Sequence, residues 1–226
     1  MSPADLQSLW LTLRLAALVT ALLLVIATPL AWWLAHSRAR LVPVAEALTA
    51  LPLVLPPTVL GFYLLVTFAP TAPLGGFWLR LTGHSLGFSF EGLVVASLLY
   101  SLPFAVQPLQ SAFALMGRAP MEAAASLGAP PWDAFLSVAM PLSLRGYLTA
   151  GVLTFAHTMG EFGVVLMVGG NIPGRTRVIS VALYEEVERL DYGAAHRLAA
   201  LLLLLSFVVL LGLYTLNART GQQGGR

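Results

Sequence analysis

Five stretches of this chain run on with scarcely a charged residue, and the polar residues collect between them. A hydrocarbon core about 30 Å thick needs roughly 20 apolar residues in a helix. The pattern therefore predicts five membrane-spanning helices, at 9–35, 47–69, 92–115, 147–168 and 198–216. The first run follows neither a basic leader nor a small-residue cleavage site, so it reads as a retained helix and not as a signal peptide. Arg14 near its start is expected to snorkel to the interface. Between the last two spans Ile179, Leu183, Val187 and Leu190 recur every three to four residues, with Glu185, Glu186, Glu188, Arg189 and Asp191 on the polar side, which predicts an amphipathic surface helix. Residues 70–90 form a Gly-, Pro- and aromatic-bearing loop in which Trp78 is suited to the headgroup level. No internal repeat interrupts the pattern, and only the tail at 221–226 is of low complexity. The whole chain, 1–226, reads as one all-α integral membrane domain.

Two spans carry features that lipid alone does not explain. In the second, Pro52, Pro56 and Pro57 remove three backbone donors and Gly61 removes a side chain. The helix should bend or break there, with the freed carbonyls met by neighbouring helices, by Thr58 or by water. Such a break either faces a cavity or is a purely structural kink, and Ala50, Pro57 and Gly61 also permit close helix packing. The fourth span holds His157 and Glu161 one helical turn apart on one face. Ionisable groups at this depth face a bundle interior or water. They line a pathway or gate, or they bond to each other and lock the packing. A metal site is disfavoured because no third ligand stands at a suitable spacing.

Composition removes other chemistries. The chain is 58% hydrophobic and only 10% charged, against about 25% charged for soluble domains. All twelve basic residues are Arg, with no Lys and no Cys. A Walker lysine, a Schiff base, thiol chemistry and disulfides are thereby excluded. Any ATP must be bound, with its Mg, by another polypeptide, and no cofactor is expected on this one. The scattered Arg residues form no stripe of the kind that binds nucleic acid.

An odd number of spans places the termini on opposite sides. With the N-terminus outside, Arg38, Arg40, Arg118, Arg145, Arg219 and Arg226 lie inside, and Arg14, Arg80, Arg175, Arg177, Arg189 and Arg197 lie outside, six against six. Charge therefore does not choose the orientation. The compact first loop with its two closely spaced Arg residues leans toward the N-terminus outside, an orientation that rests more on the resemblance carried by the next segment than on charge.

Residues 121–141, MEAAASLGAPPWDAFLSVAMP, separate the third and fourth spans. They combine an Ala-rich helix, Glu122 in its first turn where the helix dipole favours a negative charge, and Gly128 to end it. Pro130 and Pro131 forbid continuation, while Trp132 and Phe135 offer aromatic surface to a partner. The spacing of Glu122, Ala123, Ala124, Gly128, Val138, Met140 and Pro141 resembles the EAA loop of ABC-importer permeases, where Ile and Leu are commoner than the Val and Met found here. Leu127 stands beside the glycine as part of the same coupling surface.

Together with that loop, LPLVLPPTVLGFYLL at 51–65 and HTMGEFGVVLMVGGNIPGRTR at 157–177 resemble the molybdate and tungstate permease branch of the ABC importers, over about residues 8–217. GEFG followed by NIPG-x-TR is the more specific signal. The resemblance implies a type I importer (MetI-like) permease fold in the inner membrane of a bacterium. It also implies a homodimer, two cytoplasmic ABC ATPase subunits and a periplasmic oxyanion-binding protein. Sulfate permeases have similar loops, so sulfate or another oxyanion is the alternative cargo. The pathway and gate residues expected are Pro57, Thr58, Gly61, Thr154, His157, Thr158 and Glu161, and the ATPase-coupling residues Glu122, Ala123, Ala124, Leu127, Gly128 and Pro141. No catalytic residue is expected. A reading of another class, an intramembrane enzyme using His157 and Glu161, would need a third catalytic group at the same depth.

Overall fold

The computed structural model describes residues 2–223, with side chains as far as residue 215. Arg226, the end of the polar tail at 224–226 and the side chains of Leu216 and Arg219 lie outside the described residues. The described residues are helical, with no strand among them.

Helix α1 (Pro3–His36) opens on a capping box in which Ser2 and Asp5 satisfy each other's backbone donors. It runs through Pro29 without breaking. The second apolar run is two helices, α2 (Val42–Val54) and α3 (Pro57–Phe68), bent by 109°. The break falls at Leu55 and Pro56, both extended, while Pro52 stays inside α2. The carbonyl of Pro56 accepts from the backbone of Val59 at 2.9 Å, so α3 itself takes it up. Helix α4 (Pro73–Thr82) lies within the predicted 70–90 loop, and its Trp78 packs against the cluster of Leu64, Phe68 and Leu86. Helix α5 (Phe90–Met116) is the third span.

The segment expected as a coupling loop is helical almost throughout: α6 (Ala119–Ser126), α7 (Pro131–Ala134), a π-helical turn (Phe135–Ala139) and α8 (Met140–Leu142). The stretch Pro131–Leu142 meets α9 (Leu144–Gly160) at 72°. The predicted fourth span is not one helix. It stops at Gly160, and α10 (Gly163–Gly169) resumes after an extended Glu161. Helix α11 (Ile179–Glu188) and α12 (Tyr192–Gln223) complete the chain, α12 starting earlier than the predicted 198. The amphipathic stripe holds for the first half of α11: Ile179 and Leu183 pack toward Leu198, but Val187 is exposed and Leu190 lies beyond the helix in a left-handed turn.

Three helices are long and apolar enough to cross a membrane, or up to five if each bent pair is one span. Helices α1, α5 and α9 form the central bundle around Leu15, Val19, Leu23, Val106, Leu109 and Phe113. Helix α10 rests on α3 and α5.

Candidate functional site

The first candidate site is built at the break between α9 and α10. Glu161 leaves the helix, so its carboxylate no longer stands one regular turn from His157 as the sequence suggested. It is nevertheless buried, at 3% exposure. Ser97 and Ser101, one turn apart on α5, donate their hydroxyls to its two oxygens, at 2.5 Å to Oε2 and 2.6 Å to Oε1. The proton of Ser101 is committed to the carboxylate. Its oxygen is 2.9 Å from both Thr158 Oγ1 and His157 Nδ1 and is placed to accept from these two groups. His157 and Glu161 themselves are 3.7 Å apart, too far for the direct hydrogen bond expected between them, and Ser101 bridges them. The imidazole stacks on Phe104 at 4.0 Å and leans on Tyr100. The carbonyl of Glu161 accepts 2.5 Å from the Ser180 hydroxyl of α11. One carboxylate thus ties α5 to the break, and one carbonyl ties the break to α11.

Ser97, Ser101 and Ser180 were not singled out from the sequence. The i, i+4 pair of hydroxyls in an otherwise apolar third span was the available signal.

The remaining pathway candidates separate. Thr154 and Thr158 are buried, and Thr154 Oγ1 has no hydrogen-bond partner. Gly61 is buried against α10, where a Cβ would sit 2.7 Å from Met167 Cβ. Pro57 packs on Gly163, and Thr58 is exposed. Ser101, His157 and Glu161 superficially form a nucleophile, base and carboxylate. A relay requires the nucleophile and the carboxylate on opposite ring nitrogens. Here both approach Nδ1, and Ser101 is fully buried, so the arrangement positions a helix break and does not activate a nucleophile. Among the described residues no group of three His, Cys, Asp or Glu side chains could hold a metal.

The second candidate site is the face of α6–α8. Gly128 has φ +82°. Its N–H bonds to Ala125 O at 3.0 Å and that of Ala129 to Ala124 O at 3.1 Å, so the helix closes in a Schellman motif that needs a left-handed residue. No atom lies within 4 Å of a Cβ built there. The turn, and not crowding within this chain, is what calls for glycine. Glu122 and Ala123 are exposed, Ala124 is buried, and Pro141 is exposed. Leu127 is 89% exposed and Trp132 71%. Exposed apolar side chains of this kind are available for a partner to cover.

Residues 170–177 fold into a compact turn. Thr176 Oγ1 donates to Gly169 O at 2.6 Å, and Gly170 and Gly174 take positive φ. Asn171 donates to Glu185 Oε2 and Arg177 pairs with the same oxygen, both at 2.9 Å. The Asn171 amide, followed by the Arg177 and Arg189 guanidiniums, holds the Glu185 carboxyl below its ordinary range.

The model of the family described as binding-protein-dependent transport system inner membrane component matches residues 27–222. The chain is 55% identical over 215 residues to the molybdenum transport system permease protein ModB of Azotobacter vinelandii, covering 95% of each. It is 37% identical to the protein of that name from Mycobacterium tuberculosis, covering 97% of this chain and 81% of the relative. A probable sulfate transport system permease protein, cysT of Zygnema circumcarinatum, is 35% identical over 89% of this chain and 69% of its own length. Among solved structures, an inward-facing MetNI methionine ABC transporter aligns with TM-score 0.72 at 18% identity, covering 96% of this chain and 97% of its own. At that identity the likeness shows the fold, a MetI-like permease fold, alone.

Proposed function

This chain belongs to the family of binding-protein-dependent transport system inner membrane components, and from that premise we infer that it is the membrane-spanning permease subunit of an ATP-driven importer of molybdate or tungstate. The observation that carries the cargo is the 55% identity along 95% of both chains to a molybdenum permease. The sulfate alternative rests on a more distant relative that this chain covers less fully.

In this reading the permease works as a homodimer in a bacterial inner membrane, with two separate ATPase chains that hold ATP and Mg. A periplasmic binding protein delivers the oxyanion. One coupling element per chain needs two copies to engage both halves of an ATPase dimer. The exposed apolar residues Leu48, Leu51, Val54, Phe62, Tyr63 and Val66 of α2 and α3 supply surface for a second copy. The ATPase receives Glu122, Leu127, Gly128 and Trp132. Its closure on ATP draws the two coupling elements together, and the spans rock so that a central route opens alternately outward and inward. The hydrated dianion needs hydrogen-bond donors and no tight site. Thr58 and the exposed edge of His157 suit that role better than the buried Glu161, whose carboxylate is engaged by two serines.

Orientation follows from the coupling element. Arg118, which opens it, bonds to His36 at the end of α1. If that element meets a cytoplasmic ATPase, the other end of α1 and the N-terminus lie outside.

The test is reconstitution in liposomes with the ATPase and the binding protein. Uptake of molybdate or tungstate that depends on ATP and exceeds that of sulfate is expected. Uptake of sulfate in preference would overturn the cargo, and hydrolysis or transport by this chain alone would overturn the division of labour.

A further inference from the structure

We propose that α1 is a rod carrying motion between the coupling element and α11, with Arg118 and Thr12 as the joints at its two ends. The inference rests on the importer reading above.

The inner joint follows from how helices end. The last carbonyls of α1 lack intrahelical donors. The carbonyl of His36, the final residue, is taken by Arg118 Nη2 at 2.7 Å. A cation is favoured at that end of the helix dipole. Arg118 is the N-cap residue of α6, so the bond fastens the start of the coupling element to α1 across 82 residues of sequence. One turn earlier Trp32 meets Phe135 of the π-helical turn edge-on at 5.3 Å, Phe113 of α5 at 5.1 Å, and the His36 ring at 4.1 Å. The coupling element is therefore held at two places by the same turn of α1.

The outer joint follows from how helices begin. The N–H of Ile179, the first residue of α11, has no acceptor inside its own helix. Thr12 Oγ1 of α1 accepts it at 2.9 Å, and its own hydroxyl donates to Ser8 O at 2.7 Å. Both residues are buried, at 1% and 0% exposure. From Thr12 to Trp32 the rod is about 30 Å long, the thickness of a hydrocarbon core. The two joints thus lie at opposite faces. Helix α11 then reaches the break between α9 and α10 through Ser180 and the Glu161 carbonyl. A continuous run of packed and bonded groups joins the ATPase side to the helix break by way of α1, beside the direct connection through α9, which meets the coupling element at a 72° bend.

The experiment uses the full complex with ATPase and binding protein in liposomes. It compares Arg118→Gln, Arg118→Lys, Thr12→Val and the Thr12→Val/Arg118→Gln double variant. Assembly, basal hydrolysis, stimulation by the loaded binding protein and uptake per ATP are read separately. Both single neutral variants should assemble and hydrolyse ATP at the basal rate, while stimulation falls by about fivefold, the lower end of ordinary coupling between sites. Arg118→Lys, which keeps a charged donor for one carbonyl, should restore stimulation. The double variant should be no worse than the worse single variant, because both cut one rod. Wild-type stimulation in Arg118→Gln, whose side chain is exposed and threatens no core, would overturn the proposal, as would losses that multiply in the double variant. A wild-type complex that fails to assemble or to take up molybdate would instead overturn the importer reading.

Discussion

Pro57 and Gly163 lie in contact: a Cβ added to Gly163 would stand 2.8 Å from the Cβ of Pro57. The first follows the break in the second apolar run and the second follows the break in the fourth. Two interrupted helices therefore meet at their interruptions, and one turn further on Gly61 packs on Met167 in the same way. Non-helical backbone at membrane depth is tolerated where protein buries it, and here each break shelters the other.

Gly163→Val should accordingly push α10 away from α3. Overpacking of this kind costs about 1–3 kcal/mol. The expected outcome is a lower melting temperature in detergent together with reduced transport. Gly160→Ala, three residues away with nothing within 4 Å of its Cβ, serves as the control and should leave both near wild type.

Glu161→Gln should preserve much of the transport, because the amide keeps the shape and can take one serine as donor and the other as acceptor. Glu161→Leu leaves the buried Ser97 hydroxyl unpaired, at about 1–3 kcal/mol, and should impair assembly or gating. Uptake measured beside assembly and ATP hydrolysis separates the cases. Abolition of uptake by Gln with the other two intact would show that the carboxylate charge itself is used.

At Gly128 the left-handed turn predicts an order of tolerance. Asn, which visits that conformation readily, should assemble with the ATPase nearly as wild type, whereas a β-branched residue should lose about 1–2 kcal/mol locally. Gly128→Asp adds a charge at the partner surface and should lose ATPase association or cargo-stimulated uptake while the membrane domain stays folded and dimeric. Glu122→Ala should be milder, about 0.3–1 kcal/mol for a helix-terminus charge. Pull-down of the ATPase, hydrolysis and uptake, scored separately, are the measurements. Wild-type uptake by Gly128→Asp would remove 121–141 from the coupling role.

Glu185 gives a pH dependence with a definite sign. Its folded-state pKa is depressed, so its contribution is present above the unfolded carboxylate value and is lost as pH falls through the folded one. Melting temperature should fall on the acid side. Asn171→Ala, which removes the largest cause, should narrow the gap between the two values and flatten that acid limb.

The permease is expected to migrate as a dimer, alone or with two ATPase chains, by light scattering in detergent. A monomer that transports after reconstitution would contradict the arrangement.

Local chemistry made much of this protein readable in one dimension. Apolar run length placed the first, third and last spans, because a bilayer sets a minimum length for any helix that crosses it. The second run, by contrast, is a bent pair, and the bent pair near the fourth covers 131–160, not the expected 147–168. Gly128 before Pro130 and Pro131 announced the end of α6, because only certain residues enter a left-handed turn or start a new helix there. The prolines of the second run announced a break, and it falls at Leu55 and Pro56, each of which precedes a proline and is pushed out of the helical region by it. The break at Glu161 was not legible. GEFG carries no proline, and α9 ends there because Ser97 and Ser101, 64 and 60 residues away, hold the carboxylate while Ser180 takes its carbonyl. A serine in an apolar helix usually satisfies itself on its own backbone, so its sequence says nothing of a distant acceptor. The tie between Arg118 and His36 is of the same kind. Sequence determined which segments could cross a membrane and where the chain must turn, since those are limits on single residues and their neighbours; only tertiary structure decided which buried donor meets which acceptor, since that depends on helices brought together from opposite ends of the chain.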